Sequence, residues 1–190
     1  MNPSLNQPKD GSGETQKESV GNARRIDLCT SASLTVQQLD DAKQLFYKDS
    51  DWGEFYGDKF RVEAEQVLSM PPSAVKGIFL PCGKLVGVGV VQKEGFDYAY
   101  WSLTWIMVDS DYRNQGLGRV VVDTLLDHAK TEQAKSHNPN CRVLISAVVG
   151  QHEFYSRGWG FKTLAEGPLP GERLMMLDAT GPGLPLRPQR

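Results

Sequence analysis

An apolar strand pattern runs through a glycine-bearing turn directly into an amphipathic helix pattern in residues 105–126. The first backbone N–H groups of a helix have no acceptor inside that helix, and the helix dipole places partial positive charge there. Because Gly116 and Gly118 put no side chain between these amides and an incoming oxygen, a diphosphate can approach the main chain closely. The segment therefore predicts an anion-binding loop between a strand and a helix.

The residues around these glycines exclude two other classes of phosphate-binding loop. A Walker loop carries Lys-Ser or Lys-Thr after its last glycine, whereas Arg119-Val120 follow Gly118 here. A dinucleotide-binding fingerprint has a third glycine three residues further on, where this chain has Val121. A helix that is simply entered through a glycine-rich turn is the alternative interpretation.

The sequence Arg113-Asn-Gln-Gly-Leu-Gly118 resembles the acyl-CoA loop, Arg/Gln-x-x-Gly-x-Gly/Ala, of the GNAT N-acetyltransferase superfamily. Further along, Phe154-Tyr155 followed by Gly160-Phe161 looks like the Phe-Tyr-x-x-x-Gly-Phe element of the same superfamily. This copy has one extra residue between the tyrosine and the Gly-Phe pair. We therefore expect the end of this helix to be rearranged around Gly158-Trp159.

Apolar patterns along the chain predict one domain of strands and helices. Thr35 is a candidate helix N-cap, and residues 81–84 predict a hairpin turn. The predicted strands cover residues 24–30, 75–80, 85–92, 98–108, a continuously buried 142–149, 161–164 and 173–177, and the predicted helices cover 36–46, 52–69, 118–135 and a short segment around Tyr155. The order gives a mixed α/β sheet. The resemblance implies the GNAT-type acyl-CoA N-acyltransferase fold, a mixed, mostly antiparallel sheet with splayed central strands, flanked by helices.

Polar segments flank this domain. Residues 1–22 are rich in Asn, Ser, Gly, Pro and charge, which predicts a disordered N-terminal tail. Residues 180–190 predict a disordered Pro/Gly-rich C-terminal tail. The acetyltransferase domain is expected to occupy residues 23–179.

Composition limits the classes of partner that we expect for this protein. A net charge of −2 gives no general attraction to nucleic acid, and no apolar run is long enough for a membrane span. Cys29, Cys82 and Cys141 lie far apart without metal-binding spacing, so we predict no metal site and no disulfide framework. Free thiols are typical of a reducing compartment, and we expect a cytoplasmic protein.

The resemblance implies acetyl-CoA as the cosubstrate. Its pyrophosphate would lie on the loop, and its pantetheine arm and the reaction oxyanion would meet the main chain of the splayed strand. The implied acyl-CoA-binding residues are Ile106, Met107, Val108, Arg113, Asn114, Gln115, Gly116, Leu117, Gly118 and Arg119. Charge-assisted hydrogen bonds from the two arginine side chains are one interpretation, and solvated surface arginines are the other.

Tyr155 is the implied general acid. Coenzyme A leaves as a thiolate, and a thiol pKa of about 8.5 against a phenol pKa of about 10 makes a neutral tyrosine a donor to that sulfur. An aromatic core pair is the alternative interpretation of Phe154 and Tyr155.

The general base stays open. Some superfamily members place a glutamate on the strand before the tyrosine helix, but residues 143–148 carry no carboxylate. The candidates are Glu54, Asp97, Glu153 and His152, or a water chain through Ser102 and Ser146. Each is also explained as an ordinary surface or capping residue.

The acceptor is the least constrained part of the prediction. Carboxylates and aromatic residues in residues 49–56 suit a cationic amine, although Trp52, Phe55 and Tyr56 at helical spacing also fit a core. We expect an acetyl-CoA-dependent N-acetyltransferase that acts on a small-molecule amine, which is a metabolite, an antibiotic or a toxin. The alternatives are a protein or peptide N-acetyltransferase and a non-catalytic acyl-CoA-binding sensor. By the same resemblance, a homodimer is expected.

Overall fold

The computed structural model describes residues 30–49, 62, 65–66, 74–94, 100–136, 140–148, 150–167 and 170–179. The strands are β1 (Thr30–Ser33), β2 (Val75–Phe79), β3 (Leu85–Glu94), β4 (Tyr100–Val108), β5 (Arg142–Ala147), β6 (Lys162–Glu166) and β7 (Arg173–Asp178). The helices are α1 (Val36–Asp49), α2 (Leu117–Ala134) and α3 (His152–Trp159), with a short 3-10 turn at Ser110–Tyr112. The predicted tails, residues 24–29 of the predicted strand at 24–30, and the predicted helix at 52–69, apart from residues 62, 65 and 66, lie outside the described residues.

In the described residues seven strands form one sheet, in the order β1-β2-β3-β4-β5-β7-β6. Neighbours are antiparallel except for β4 and β5, which are parallel. Parallel neighbours need a crossover, and α2 supplies it. The predicted mixed, mostly antiparallel α/β fold is confirmed.

The two central strands separate along their length. The parallel pairing joins residues 101–103 of β4 to residues 143–145 of β5 and ends there, although β4 continues to Val108. A β-bulge lies in the same part of β4, because Val90 pairs with Thr104 and Val88 pairs with Met107. The bulged Trp105 has a φ of 53°, which is unfavourable for a bulky side chain. The second half of β4 therefore leaves β5 and keeps its pairing with β3, as expected for splayed central strands.

Each sheet face packs against different helices. On one face α1 packs on β3 and β4, with Phe46, Val88 and Met107 in the core. On the other face α2 packs on β2, β3 and β4, and α3 packs on β7, with Leu103, Val121, Leu125, Ile145 and Trp159 among the buried residues. Because α2 and α3 share the second of these cores, the beginnings of both helices lie on the same face of the sheet.

Local sequence determines where α1 begins. Thr35 Oγ1 accepts a hydrogen bond from the N–H of Gln38 at 3.3 Å, and Gln38 Oε1 accepts one from the N–H of Thr35 at 3.0 Å. This reciprocal pair is a capping box, and it confirms the predicted N-cap.

The prediction that residues 142–149 form a continuously buried strand is wrong. Val143, Ile145 and Ala147 are buried, whereas Ser146 is exposed, so β5 alternates between a core face and an open face. A run of apolar residues cannot show this difference, because Leu144 is also apolar but only partly buried.

Candidate functional site

The turn between β4 and α2 presents main-chain amides at a helix N-terminus. Asp109 Oδ1 accepts a hydrogen bond from the N–H of Asp111 at 3.0 Å and so starts the 3-10 turn. Asn114, at a φ of 59°, and Gly116, at 82°, then adopt the left-handed conformation that asparagine and glycine tolerate best. Gly116 is the N-cap of α2 and makes no side-chain cap, so the first amides of the helix are directed at the space above the turn.

The two sequence motifs meet at this turn. A Cβ built on Gly118 would lie 3.7 Å from Cζ of Phe154 and 4.0 Å from Cγ2 of Val108. The turn therefore lies beside the end of β4 and the exposed ring of Phe154 on α3. The structure brings the glycine loop, the splayed strand and the Phe-Tyr helix together.

Arg113 and Arg119 both have protein partners at the rim of the turn. Arg113 Nε donates a hydrogen bond to the carbonyl of Val108 at 3.2 Å. The Arg119 guanidinium lies 5.6 Å from the ring centroid of Trp159, and its Nε lies 3.7 Å from Oδ2 of Asp123. Both side chains are exposed, so contact with an anionic ligand stays a prediction for each.

The β2–β3 hairpin is tied to the turn by an ion pair. Lys84 Nζ lies 2.9 Å from Oδ2 of the buried Asp109 and 4.6 Å from the ring centroid of Tyr112. The hydrogen bond to Asp109 raises the pKa of Lys84. Asp109, which starts the turn, is thus held in place by Lys84 of the β2–β3 hairpin.

The second half of β4 has one paired edge and one that faces the splay. Met107 pairs with Val88 and Val108 pairs with Gly87 of β3. The register with β5 ends at Leu103. Ile106, Met107 and Val108, the predicted main-chain contacts of the acyl-CoA arm, therefore line the opening between β4 and β5.

Tyr155 lies deep among aromatic side chains. It is 8% exposed, and its ring centroid lies 5.1 Å from Phe154, 6.3 Å from Trp159 and 6.0 Å from Phe161. Burial raises the pKa of Tyr155 to about 12. Its hydroxyl therefore keeps its proton at neutral pH.

The expected rearrangement at Gly158-Trp159 is wrong. Helix α3 runs through both residues and ends at Trp159, because Gly160 adopts a φ of 82° as the C-cap. The extra residue is thus part of the helix, and it places Tyr155 four residues before Trp159, on the same buried face. Ser156, which is exposed, lies four residues before Gly160. In the family pattern the tyrosine has this position relative to the Gly-Phe pair.

The general-base candidates have different surroundings. Glu54 and Asp97 lie outside the described residues. Glu153 is exposed and forms an ion pair with Arg157 at 2.8 Å on the surface of α3. Among the described residues, Nδ1 of His152 is a buried nitrogen without a hydrogen-bond partner.

Sequence reasoning missed one acidic residue. In the described part of the chain the buried polar side chains are Asp109, Gln133 and Glu172. Oε1 of Glu172 accepts a hydrogen bond from Oγ of Ser146, which is one of the two serines named for a proton path. No local motif marks Glu172, because it precedes a strand that pairs with β5 only in the folded chain.

The described ranges contain no group of three or more His, Cys, Asp or Glu side chains arranged to hold a metal ion. In the same ranges no helix has the length and apolar character to cross a membrane.

Residues 35–161 match the acetyltransferase (GNAT) family. No curated protein matches the chain. Among solved structures, an aminoglycoside 6′-N-acetyltransferase complexed with coenzyme A has a TM-score of 0.59 at 16% identity, covering 81% of this chain and 98% of that chain. The PaiA N-acetyltransferase from Thermoplasma acidophilum in complex with coenzyme A has a TM-score of 0.58 at 12% identity, covering 79% and 98%. Ard1 from Thermoplasma volcanium has a TM-score of 0.57 at 15% identity, covering 80% and 97%. At these identities the likenesses show the shared fold.

Proposed function

Because this chain belongs to the GNAT acetyltransferase family, we propose that it is an acetyl-CoA-dependent N-acetyltransferase that acts on the amine of a small molecule. The proposal rests on the meeting of Gly118, Val108 and Phe154 at one point. Acyl transfer needs a cradle for the donor, hydrogen-bond donors for the acyl oxygen and a proton donor near the leaving group. We assign these three roles to the turn before α2, the end of β4 and α3.

The turn before α2 fits the pyrophosphate of coenzyme A. The amides of residues 114–118 lie in or just before the first turn of a helix of 18 residues, at its positive end, and Gly118 adds no side chain above them. The N–H of Arg119 already donates to the carbonyl of Gly116 at 3.0 Å. Arg113 and Arg119 add positive charge at the rim. The thioester of the cosubstrate supplies the activated acyl carbon.

The open edge of β4 fits the acyl end of the donor. Main-chain groups of residues 106–108 on the side of the splay take no part in the described register with β5. We propose that N–H groups of this segment donate to the acyl oxygen as negative charge develops on it.

Tyr155 is the proposed donor to the leaving sulfur. With a pKa of about 12 it is a hydrogen-bond donor across the physiological range. That pKa lies above the pKa of about 8.5 of a thiol, so its contribution is a hydrogen bond to the developing thiolate rather than complete proton transfer. Ser156 is the competing candidate, because the uninterrupted helix gives it the position that the family pattern assigns to tyrosine.

A metabolite, an antibiotic or a toxin with a primary amine is the proposed acceptor. The aminoglycoside 6′-N-acetyltransferase shares this fold, and so does Ard1, so the fold alone leaves the acceptor class to the experiment below. Acetylation of a peptide or protein and acyl-CoA binding without turnover are the competing functions.

The test measures thiol release from acetyl-CoA with a panel of primary amines, polyamines, aminoglycosides and peptides, beside acetyl-CoA binding by calorimetry. Turnover with a non-peptide amine supports the proposal. Turnover with peptides alone supports the protein acetyltransferase, and binding without turnover on the whole panel supports the sensor. A chain that does not bind acetyl-CoA would contradict the assignment of the loop.

The setting of the reaction is also part of the proposal. In the described residues Cys82 and Cys141 are free thiols, which suits the cytoplasm.

Strand β6 lies at the sheet edge with five exposed residues, and antiparallel pairing with a second copy about Leu164 would place Lys162 opposite Glu166. We therefore propose a homodimer through β6, which sedimentation of the parent and Leu164→Pro proteins would test.

A further inference from the structure

We propose that Ser146 and Glu172 form the proton relay that deprotonates the acceptor amine. Ser146 would touch the amine, and Glu172 would act through it. The inference rests on the proposed transferase function and adds the base that the sequence does not identify.

The position of Ser146 in β5 is the first argument. Ile145 is the last residue of β5 that pairs with β4, so Ser146 stands where the two strands separate. Its neighbours Ile145 and Ala147 are in the core below α2 and α3, and strand alternation therefore points Ser146 to the opposite face. Ser146 is exposed there. A hydroxyl at this point borders the opening in which we place the acyl group.

The burial of Glu172 is the second argument. The residue is only 5% exposed, and a buried carboxylate is costly unless it is hydrogen-bonded. Its Oε1 accepts the hydrogen bond from Ser146 Oγ. The acid is thus linked to the exterior through a hydroxyl on the open face of the sheet.

Gly167 leaves space for the side chain of Glu172. The N–H of Gly167 donates to the carbonyl of Glu172 at 2.7 Å, which closes the loop between β6 and β7. A Cβ on Gly167 would lie 2.5 Å from Cγ of Glu172. Only glycine therefore lets the side chain of Glu172 lie under this loop with its carboxylate towards Ser146.

The other two buried polar side chains of the described residues have evident structural roles. Asp109 pairs with Lys84 and starts the turn before α2, and Gln133 accepts the indole N–H of Trp101 at 3.0 Å. Glu172 instead bonds to an exposed hydroxyl beside the splay.

The proton path balances as follows. The acceptor ammonium gives a proton to Ser146 Oγ while the Ser146 hydroxyl proton passes to the Glu172 carboxylate. The amine nitrogen then bonds to the acyl carbon, and the carbon–sulfur bond breaks with its electron pair on sulfur. Of the three ammonium protons, one stays on the amide nitrogen, one leaves Glu172 for solvent, and one passes from the nitrogen to solvent as the tetrahedral intermediate collapses. Coenzyme A leaves as a thiolate that accepts a hydrogen bond from Tyr155, and it takes up a proton from solvent after release.

The charged residues beside this pair in the sheet register are Arg173, opposite Ala147, and Glu166, opposite Arg173. They bear on the choice of control. As controls away from these charges and from β6, Asp127→Asn removes an exposed carboxylate from α2, and Thr131→Ala removes an exposed hydroxyl from the same helix. Neither change touches the Ser146–Glu172 hydrogen bond.

The test compares Ser146→Ala and Glu172→Gln with these two controls, using the amine that the parent protein turns over fastest in the panel. For both relay variants we expect kcat to fall about 100-fold, the size of a general-base contribution, with acetyl-CoA affinity unchanged. Activity of the variants should recover as the pH approaches the pKa of the amine, because the acceptor then arrives unprotonated. The controls should keep the pH profile of the parent.

The failures are distinguishable. A parent that binds acetyl-CoA but acetylates no amine overturns the proposed function, and the relay with it. An active parent whose Ser146→Ala variant keeps both kcat and pH profile overturns the relay alone. If Glu172→Gln no longer binds acetyl-CoA, Ser146→Ala decides the question, because Ser146 is exposed and its loss leaves the core intact.

Discussion

The indole Nε1 of Trp159 donates a hydrogen bond to Oδ1 of Asp123 at 2.6 Å, and this contact joins α3 to α2. The same carboxylate holds Arg119 through its other oxygen. One acidic residue thus fixes the distance between the helix that carries the glycine turn and the helix that carries Tyr155. The geometry of the proposed site depends on this link.

Asp123→Ala should weaken both stability and donor binding. The change leaves the mostly buried indole N–H of Trp159 without its acceptor and releases Arg119, which should cost about 1–3 kcal/mol of unfolding free energy. Chemical denaturation measures the stability, and calorimetry measures acetyl-CoA affinity. Arg157→Ala is the control on the outer surface of α3, where loss of the exposed ion pair with Glu153 should cost less than about 0.5 kcal/mol. Equal effects of the two substitutions would contradict a special role for Asp123.

Lys84→Met should loosen the turn and make the stability difference from the parent depend on pH. The hydrogen bond to Asp109 raises the pKa of Lys84 above 10.5 in the folded state. A raised pKa means that the contribution is complete below the unfolded pKa and is lost as the pH rises through the folded pKa. The unfolding free energy of the parent should therefore exceed that of Lys84→Met at neutral pH, and the gap should close in strongly alkaline solution.

Urea unfolding of both proteins over a range of pH checks this. If the difference in unfolding free energy between the two proteins instead widened as the pH rises, the interaction with Asp109 would not raise the pKa of Lys84 in the folded protein. Lys43→Met is a suitable control, since Lys43 forms an exposed pair with Asp40 on α1 at 3.2 Å. Its stability difference should be small, because such surface pairs contribute little.

The sequence predicted the parts of the site that depend on local order. The strand, the glycine turn and α2 follow each other directly, so their apolar periodicity and glycine spacing are sufficient to identify them. The same is true of the capping box at Thr35 and of the β2–β3 hairpin, whose determinants lie within a few residues.

Features that depend on pairing between distant segments could not be predicted from the sequence. The bulge at Trp105 exists only in the register of β4 with β3, and the Ser146–Glu172 hydrogen bond joins residues 26 positions apart. The extra residue in α3 is a third case. The motif cannot show whether an insertion loops out or stays helical, and here the burial of Trp159 and the left-handed Gly160 favour an uninterrupted helix.

The register of α3 makes Tyr155 and Ser156 separable by mutation. If Tyr155 donates to the leaving sulfur, Tyr155→Phe should lower kcat about 100-fold without changing acetyl-CoA affinity, while Ser156→Ala should have little effect. The pKa of about 12 further predicts that no ionisation of Tyr155 appears in the pH profile near neutrality. Steady-state kinetics of both variants, beside Tyr47→Phe on α1, decide the matter. The reverse pattern would transfer the role to Ser156.

Gly118→Asp should impair donor binding while leaving the fold unchanged, whereas Gly118→Ala should be tolerated, because the family pattern Arg/Gln-x-x-Gly-x-Gly/Ala takes alanine at this position. The nearest atoms to an added Cβ are Phe154 Cζ at 3.7 Å and Val108 Cγ2 at 4.0 Å, which are ordinary contact distances, so the protein has room there for a Cβ. A carboxylate in the first turn of a helix is compatible with the helix dipole, but it would repel a diphosphate that lies against the amides of the turn.

Gly118→Ala is the control at the same position, and Gly158→Ala is a control on α3. Nothing lies within 4 Å of a Cβ at Gly158, and alanine in a helix is favoured over glycine by about 0.8–1.0 kcal/mol. This variant should therefore be more stable than the parent and bind acetyl-CoA equally well. For Gly118→Asp we expect a loss of at least about 1.4 kcal/mol in binding free energy, which is a tenfold loss of affinity, with no loss of thermal stability. If calorimetry instead showed that Gly118→Asp binds acetyl-CoA as tightly as Gly118→Ala, the diphosphate would not lie on this turn.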